Sequence, residues 1–392
     1  MSEWKVKSLI ELADIIPGFA FKSKDFGQIG ETVIKIKDIQ PPLIDLSSTE
    51  KVNTSNYDKN KLKKYLLEYG DFIIAMTGAT IGKVGRLKEE KPALINQRVA
   101  KIKAKQGVNN DFVYYSVTSS DFQAFIQNNI DSHSAQENIS GNSIGRFPIL
   151  TPPLPEQTAI ASILSSLDDK IDLLHRQNTT LEKMAETLFR QWFVEEAQED
   201  WEVVPLEVLG KIICGKTPSK KISKYFNGDI PFIKIPDMHG MTFVFDCEDS
   251  LSKAGINSQL NKTIPPKSIC VSCIATVGLV VMNAKISQTN QQINSIVPDK
   301  DIYRYFIYLK MLTIKDDLLA MASGGTATDN LNTGNFSKIP IQVPDDYKLQ
   351  AFHKTVEPFF DKIYINQTQI RILTALRDTL LPKLMSGEVR VG

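Results

Sequence analysis

The chain is poor in the residue types that build most catalytic, redox and membrane-spanning sites. Its 392 residues include only four cysteines and four histidines. No window approaches the ~18 uninterrupted apolar residues of a membrane helix, and the first residues lack the basic and apolar segments of a secretory leader. We therefore expect a soluble, cytoplasmic protein with no membrane partner.

The cysteines do not form a convincing metal or redox site. All four lie in the second half of the chain, and Cys270 and Cys273 form a C-x-x-C motif within an apolar run. A strand places residues three apart on opposite faces, and a zinc site of this kind needs a second pair of ligands. Buried structural cysteine is the favoured interpretation, with metal or redox function as the minor alternative.

Recognisable catalytic motifs are also missing. The turn from Gly78 to Lys83 is one residue shorter than a phosphate-binding P-loop and lacks its Ser or Thr. There is no dinucleotide fingerprint, H-E-x-x-H or G-x-S-x-G motif, and Thr151 precedes Pro152 where amino-group methyltransferases use Asn or Asp. We predict no catalytic residue, no metal and no cofactor, and hence no enzyme activity in this chain alone.

The distribution of charge is more informative than the net charge of +1. Residues 1–150 contain 20 Lys and Arg against 17 Asp and Glu, and residues 201–343 contain 15 against 12. Residues 151–200 contain 4 against 10, and residues 344–392 contain 7 against 6. Two mildly basic segments are thus offset by one acidic segment, which is either a solvated helix or an acidic docking surface.

The chain contains an internal repeat, recognisable as two similar units in the same order. The offset between matching residues stays between 192 and 199. The matches are Trp4 with Trp201, residues 33–38 (VIKIKD) with 232–237 (FIKIPD), Ala79–Gly82 with Ala275–Gly278, and Asn96–Gln97 with Asn290–Gln291.

Each copy alternates short β-branched and aromatic runs with Gly, Pro, Asn and Asp, which predicts a mixed sheet with helices packed on it. The length of the chain agrees with two domains. We predict an α+β fold of two α/β domains, related by a pseudo-two-fold axis and separated by a long antiparallel two-helix coiled coil. The expected boundaries are 1–152 and 199–344 for the domains and 153–198 and 345–392 for the helices.

The two helical segments have heptad spacing. Apolar residues recur four and three apart from Ile160 to Trp192 and again from Phe352 to Leu384, a spacing typical of supercoiled pairs. If Ile160 lies opposite Leu384 in an antiparallel pair, Asn178 faces Asn366. Parallel pairing would leave both amides without a polar partner. Antiparallel pairing is therefore favoured, with Asn178 and Asn366 setting the register and Arg377 near Asp168 or Asp169.

Several polar residues on loops and strand ends are candidates for contacts with an anionic or polar partner. Lysines suit phosphates and amide side chains suit base edges, although solvated edge lysines and ordinary strand-end amides are equally good interpretations. Lys35 and Lys37 are expected on one face of a strand. The candidates are Lys22, Lys24, Lys35, Lys37, Thr77, Thr80, Lys83, Asn96, Gln97, Arg98, His133 and Ser134 in the first copy, and Lys216, Thr217, Lys220, Lys221, Lys234, Thr276, Asn290, Gln291, Gln292 and Thr326 in the second.

The sequence resembles the specificity subunits of Type I restriction enzymes over nearly its whole length. TPPLPEQTAIASILSSLDDKIDLLHRQNTTLEKMAETLFRQWF resembles the central helical region of that family, and LRDTLLPKLMSGEVRV resembles the C-terminal one. GATIGKVG and INQ are similar to the core of its target recognition domains. The second helix departs from the pattern at PDDYKLQAFH.

This resemblance implies two target recognition domains, each reading one half of a bipartite double-stranded DNA site. The helices would set the spacer and dock two DNA methyltransferase (modification) subunits and, in the full complex, two restriction/translocase subunits. Adenine-N6 methylation and DNA cleavage would belong to those partners. The alternatives are a non-catalytic scaffold whose two domains bind protein or glycan ligands, and, less favoured, a fused restriction-methylation enzyme.

Overall fold

The computed structural model describes residues 4–130, 137–323 and 330–391. The chain divides into two units, and the first of them is discontinuous in sequence. Unit 1 comprises Met1–Ile171 and Ile372–Gly392, and unit 2 comprises Asp172–Arg371. Each unit contains one copy of the repeat and a stretch of each long helix.

Unit 1 is a mixture of short strands and helices. In chain order its elements are β1 Lys5–Ser8, α1 Leu9–Leu12, β2 Ala13–Pro17, β3 Phe26–Gly27, β4 Glu31–Ile34, β5 Ile39–Gln40, β6 Leu43–Ile44, β7 Glu50–Val52, α2 Lys59–Leu62, β8 Leu66–Leu67, β9 Phe72–Ala75, β10 Val84–Arg86, β11 Ala93–Ile95, β12 Val99–Ala104, α3 Asn110–Thr118, α4 Ser120–Asn128, α5 Gly141–Gly145, β13 Pro148–Thr151 and the start of α6 Leu154–Arg190.

Unit 2 repeats this mixture. Its elements are β14 Glu202–Pro205, β15 Gly210–Cys214, β16 Phe226–Ile233, α7 Ile235–Met238, β17 Phe243–Val244, β18 Ser250–Leu251, α8 Lys253–Asn257, β19 Ile269–Ser272, β20 Val280–Asn283, β21 Gln288–Thr289, β22 Ile293–Pro298, α9 Arg304–Thr313, α10 Lys315–Ala322, α11 Thr333–Ser337, β23 Pro340–Val343 and most of α12 Asp346–Ser386.

The main sheets of the two units have the same topology. The strand order is β2-β12-β9-β10-β6-β5 in unit 1 and β15-β22-β19-β20-β17 in unit 2. The first four strands of each sheet pair in an antiparallel manner. The next pair is parallel in both sheets: β10 with β6 in unit 1 and β20 with β17 in unit 2. The predicted repeat and the mixed α/β domains are therefore confirmed at the level of strand order.

A smaller sheet accompanies the main sheet in each unit. Strand β4 pairs in parallel with β11, and β16 pairs in parallel with β21. Helices α3 and α9 are buried against the main sheets, and their apolar residues belong to the largest cluster of each unit. A second helix follows in each unit. In unit 1, Ser119 separates α3 from α4: its extended backbone ends α3, and its side chain caps α4.

The long helices α6 and α12 are antiparallel within each unit. In unit 1, Glu156 of α6 contacts Arg390, and Asp168, further along α6, contacts Arg377. Residue numbers in the partner segment therefore fall as those in α6 rise, which is the antiparallel arrangement. In unit 2, Asn178 contacts Asn366 and Phe189 contacts Phe352. The predicted antiparallel pairing is thus observed in both units. Among the described residues, no helix is both long and apolar enough to cross a membrane.

One local prediction is wrong. Strand β4 ends at Ile34, so Lys35 and Lys37 do not share a strand face. The carboxylate of Asp38 accepts a hydrogen bond from the backbone N–H of Lys35 at 2.7 Å and starts a 3-10 turn over Ile36–Asp38. A side chain that caps the backbone in this way competes with continuation of the strand.

Candidate nucleic-acid interface

In unit 1 the loop after β2 packs closely on the turn between β11 and β12. The backbone N–H of Phe19 donates to Ile95 O at 2.9 Å, and that of Gln97 donates to Phe19 O at 3.1 Å. A Cβ atom at Gly18 would lie 2.2 Å from the carbonyl oxygen of Asn96, so this contact requires glycine. The loop that carries Lys22 is therefore held beside the Asn-Gln turn.

A third segment, the turn Met76–Lys83, joins the same cluster. The N–H of Met76 donates to Arg98 O at 2.9 Å, and the N–H of Gly78 donates to Glu137 O at 3.1 Å. Gly82 has a φ of 84°, in the left-handed region that favours glycine. The predicted residues His133 and Ser134 lie outside the described residues, but Glu137, which follows them, contacts this turn.

Unit 2 repeats the cluster nearly contact for contact. A Cβ atom at Gly215 would lie 2.0 Å from Asn290 O. The N–H of Lys216 donates to Thr289 O at 2.9 Å, and the N–H of Cys273 donates to Gln292 O at 2.8 Å. The N–H of Leu331 in turn donates to Cys273 O at 2.9 Å. Thr326, predicted on the preceding loop, lies outside the described residues.

The two clusters present exposed cations. The exposed positively charged side chains are Lys22, Lys24, Lys83 and Arg98 in unit 1 and Lys216, Lys220 and Lys221 in unit 2. Thr276 is exposed beside the last set, whereas Thr77 and Thr80 are half-buried. An arrangement of exposed cationic side chains around a hydrogen-bonded turn suits contacts with phosphates, which position a ligand.

Three of the predicted lysines already have carboxylate partners. Lys35 and Lys37 lie 2.6 and 3.3 Å from the two oxygens of Glu50, and Lys234 pairs with Asp249. Lys35 and Lys234 are equivalent in the repeat, as are Glu50 and Asp249. An ion pair retained in both copies favours a structural role for these lysines.

The amide side chains divide into two groups. Asn290 is buried, and its Nδ2 donates to Gln292 Oε1 at 2.8 Å, while Asn96 Oδ1 accepts from the N–H of Arg98 at 3.3 Å. These asparagines shape their turns. Gln97 and Gln291 are exposed, and their amides could contact base edges. The Oε1 of Gln291 accepts a hydrogen bond from Thr217 at 2.7 Å, which leaves its Nε2 for such a contact.

Sequence reasoning missed an aromatic support beneath the first loop. The hydroxyl of Tyr57 donates to Asp25 at 2.5 Å and accepts from the N–H of Lys22 at 3.1 Å. The hydrogen bond to Asp25 also raises the pKa of Tyr57. Phe19 and Phe21 pack on the Tyr57 ring with centroids 5.5 and 5.6 Å away. Gly18 and Gly215 were missed too, although a glycine at the same place in both copies is a usable signal.

The cysteines are structural in their surroundings. Cys270 and Cys273 are free and buried, and they belong to different apolar clusters, as expected for residues on opposite sides of a sheet. Burial raises the pKa of Cys270 to about 12 and that of Cys273 to about 11. These apolar surroundings agree with the interpretation of Cys270 and Cys273 as buried structural cysteines.

Comparison with known protein families accounts for both copies of the repeat. The family described as "Type I restriction modification DNA specificity domain" matches residues 1–183 and 198–375. The Type I restriction enzyme HindI specificity subunit of Haemophilus influenzae is 36% identical over 354 residues, covering 71% of this chain and 77% of the relative. The MjaIX specificity subunit of Methanocaldococcus jannaschii is 26% identical and covers 99% of this chain and 94% of the relative.

A solved structure has the same fold. The Type I restriction-modification S subunit from M. genitalium superposes with a TM-score of 0.63 at 16% identity, over 98% of this chain and 96% of that one. The paired family matches and the 36% identity to a specificity subunit together show that this chain belongs to the family of Type I restriction-modification specificity subunits.

Proposed function

We propose that the chain is the DNA-recognition subunit of a Type I restriction-modification system. Each α/β domain reads one half of a bipartite double-stranded DNA site through the cluster described above. This proposal is supported mainly by one observation: matching backbone contacts bring three segments, which bear exposed cations and an exposed glutamine, together in both units. Phosphate contacts would position the duplex, and the glutamines would contact base edges.

Methyl transfer and DNA cleavage belong to partner subunits in this proposal. The helices α6 and α12 dock two DNA methyltransferase subunits and two restriction/translocase subunits, and the chain itself does not catalyse methyl transfer or cleavage. Support comes from family membership and from the lack of a catalytic motif in the sequence. Methyl transfer from S-adenosylmethionine to DNA by the purified chain alone would refute this division of labour.

Binding to DNA can be tested by gel shift of the chain with its methyltransferase partner over a library of duplexes. We expect a bipartite sequence preference and affinity that falls steeply with salt, because each neutralised phosphate releases counterions. Uniform affinity for all duplexes would refute sequence reading. Salt-insensitive capture of a protein or glycan instead would support the scaffold alternative.

The roles of individual residues separate in the same assay. Lys220→Gln with Lys221→Gln should weaken binding to all sequences similarly and reduce the salt slope by about two. Gln291→Ala should relax base preference in one half-site only. The matched control is Lys211→Gln with Lys338→Gln, which removes the same charge from exposed positions of unit 2 outside the cluster and outside the long helices and should leave DNA binding unchanged.

A further inference from the structure

The contacts between α6 and α12 are not interchangeable between the two halves of the repeat. Because each unit contains part of both helices, a first half could in principle pair with another first half instead of a second half. We infer that the helix pair carries a pairing code: each half accepts the other half and rejects a second copy of itself. Three separate contacts carry this inference.

The first contact is the asparagine pair of unit 2. Asn366 is fully buried, and its Nδ2 donates to Asn178 Oδ1 at 2.9 Å. In the repeat, Asn178 is equivalent to Ile370 and Asn366 to Leu174. Two first halves would therefore place Asn178 opposite Leu174, and two second halves would place Asn366 opposite Ile370. Both homotypic pairings leave buried amides unpaired, which is unfavourable.

The second contact is an ion pair of unit 1. Arg377 Nη1 donates to Asp168 Oδ1 at 2.9 Å, and Tyr115 donates to the other carboxylate oxygen at 2.7 Å. The equivalents of Asp168 and Arg377 in unit 2 are Phe360 and Ala185, both fully buried. A pair of second halves would put the Arg377 guanidinium against an aromatic core, and a pair of first halves would deprive Asp168 of its cation.

The third contact is a clasp at each helix start, with reversed charges in the two units. In unit 1 the indole of Trp4 donates to Glu156 at 2.9 Å, and Arg390 lies 3.2 Å from Glu156 and 4.4 Å from the Trp4 ring.

In unit 2 the equivalent tryptophan, Trp201, lies 4.9 Å from the ammonium of Lys348, which is 3.8 Å from Glu196. The helix residue in this contact is thus acidic in unit 1, Glu156, and basic in unit 2, Lys348. Two first halves would bring Glu156 to Glu196, and two second halves would bring Lys348 to Arg390. Like charges at these distances repel, so the clasps discriminate in the same direction as the buried contacts.

The inference is tested on the full chain carrying a protease site between Gln198 and Glu199. The cleaved protein is unfolded in urea, refolded, and its complexes are counted by native mass spectrometry, since the two halves differ in mass. Random pairing would make half of the complexes heterotypic. We expect nearly all to be heterotypic, because each orphaned buried group shifts the pairing equilibrium by on the order of tenfold. A statistical mixture would overturn the inference.

A triple variant tests the code itself. Asn366→Leu and Arg377→Ala give the second half the residues found at the corresponding positions of the first, Leu174 and Ala185. Arg390→Glu gives it the charge of Glu196, the residue that contacts Lys348 in unit 2. We expect second-half homodimers to appear at least tenfold more often than in the unaltered chain. The matched control, Gln369→Leu, Lys362→Ala and Lys354→Glu, makes the same kinds of change at exposed positions of α12 and should leave the distribution unchanged.

If the cleaved halves do not refold, the same contacts are tested in the intact chain. Double-mutant cycles in urea for Asn178 with Asn366 and for Asp168 with Arg377 must then give positive coupling. Additive losses in both cycles would overturn the code. These readouts follow assembly and stability without DNA, so their failure is distinguishable from failure of the proposed function.

Discussion

The two units share a strand order but fill their interiors with different chemistry. In unit 1, Arg86 is buried, lies 3.8 Å above the Tyr114 ring and pairs with Asp111 at 2.8 Å. Its equivalent in unit 2 is Met282, which is fully buried among apolar residues. A charged network and an aliphatic core therefore occupy the same place in one topology, so the topology does not depend on either.

The same contrast extends to the helices. Unit 1 joins its sheet domain to α6 through the hydrogen bond from Tyr115 to Asp168, and burial raises the pKa of that tyrosine. Unit 2 uses aromatic stacking instead, with the rings of Tyr305 and Phe360 4.3 Å apart and nearly parallel. Directional contacts specify which partner fits, whereas apolar packing contributes stability with less discrimination.

The largest expected effect is in the aromatic core of unit 2. Phe360→Ala removes a fully buried ring and should reduce the free energy of unfolding by about 3–5 kcal/mol. Asp168→Ala, at the equivalent position of unit 1, should cost less because Asp168 is partly exposed. Urea unfolding monitored by tryptophan fluorescence measures the free energy of unfolding of both variants. Equal losses would show that the buried ring and the carboxylate contribute equally to stability, despite their different chemistry.

The asparagine pair should give the next largest effect. Asn178→Leu alone should destabilise unit 2 by about 1–3 kcal/mol, since Asn366 is then buried without its partner. Asn178→Leu with Asn366→Leu should recover much of the loss. The same urea titration reports the values, and additive damage would mean that the two amides do not depend on each other.

A smaller, pH-dependent effect is expected at Glu182. Burial raises the pKa of this carboxyl above its usual 4.5, even though Thr242 donates a hydrogen bond to it. Folding therefore favours the protonated form, and stability is lost as pH rises from below the usual value through the raised one. Glu182→Gln should stabilise unit 2 at neutral pH and flatten this loss.

Melting temperatures at several pH values check the Glu182 prediction. Glu199→Gln removes the same charge from an exposed position of unit 2; it is the matched control and should not flatten the profile. A parallel profile for Glu182→Gln and the unaltered chain would show that Glu182 does not set the pH dependence.

The clasps should give the smallest effects. Arg390→Ala and Lys348→Ala each remove a partly exposed ion pair and a cation–π contact, which together contribute on the order of 0.5–1 kcal/mol. The two losses should be similar and should shrink in high salt. Calorimetry in low and high salt compares them, and a large loss at only one clasp would break the equivalence of the two units.

Sequence reasoning could reach the repeat, the fold class and the pairing of Asn178 with Asn366, because these depend on periodicity and on matching positions. It could not place Glu50 beside Lys35, since that contact requires the pairing of β4 with β7 across an intervening loop. The ion pair of Arg86 with Asp111 depends on tertiary packing in the same way. At the candidate interface, the repeated glycines Gly18 and Gly215 indicate a close backbone contact, but the sequence does not show which segments meet there, because backbone hydrogen bonds between loops do not depend on side-chain identity.

The discontinuity of unit 1 has a consequence for protein synthesis. Unit 2 is one continuous stretch, Asp172–Arg371, whereas unit 1 needs Ile372 and the residues beyond it to complete its helix pair. On the ribosome the domain of unit 1 emerges before unit 2, yet Asp168 and Glu156 meet Arg377 and Arg390 only after the residues that follow Arg371 have been made. Domains usually fold in the order in which they are made. Here the unit that begins synthesis first is completed last.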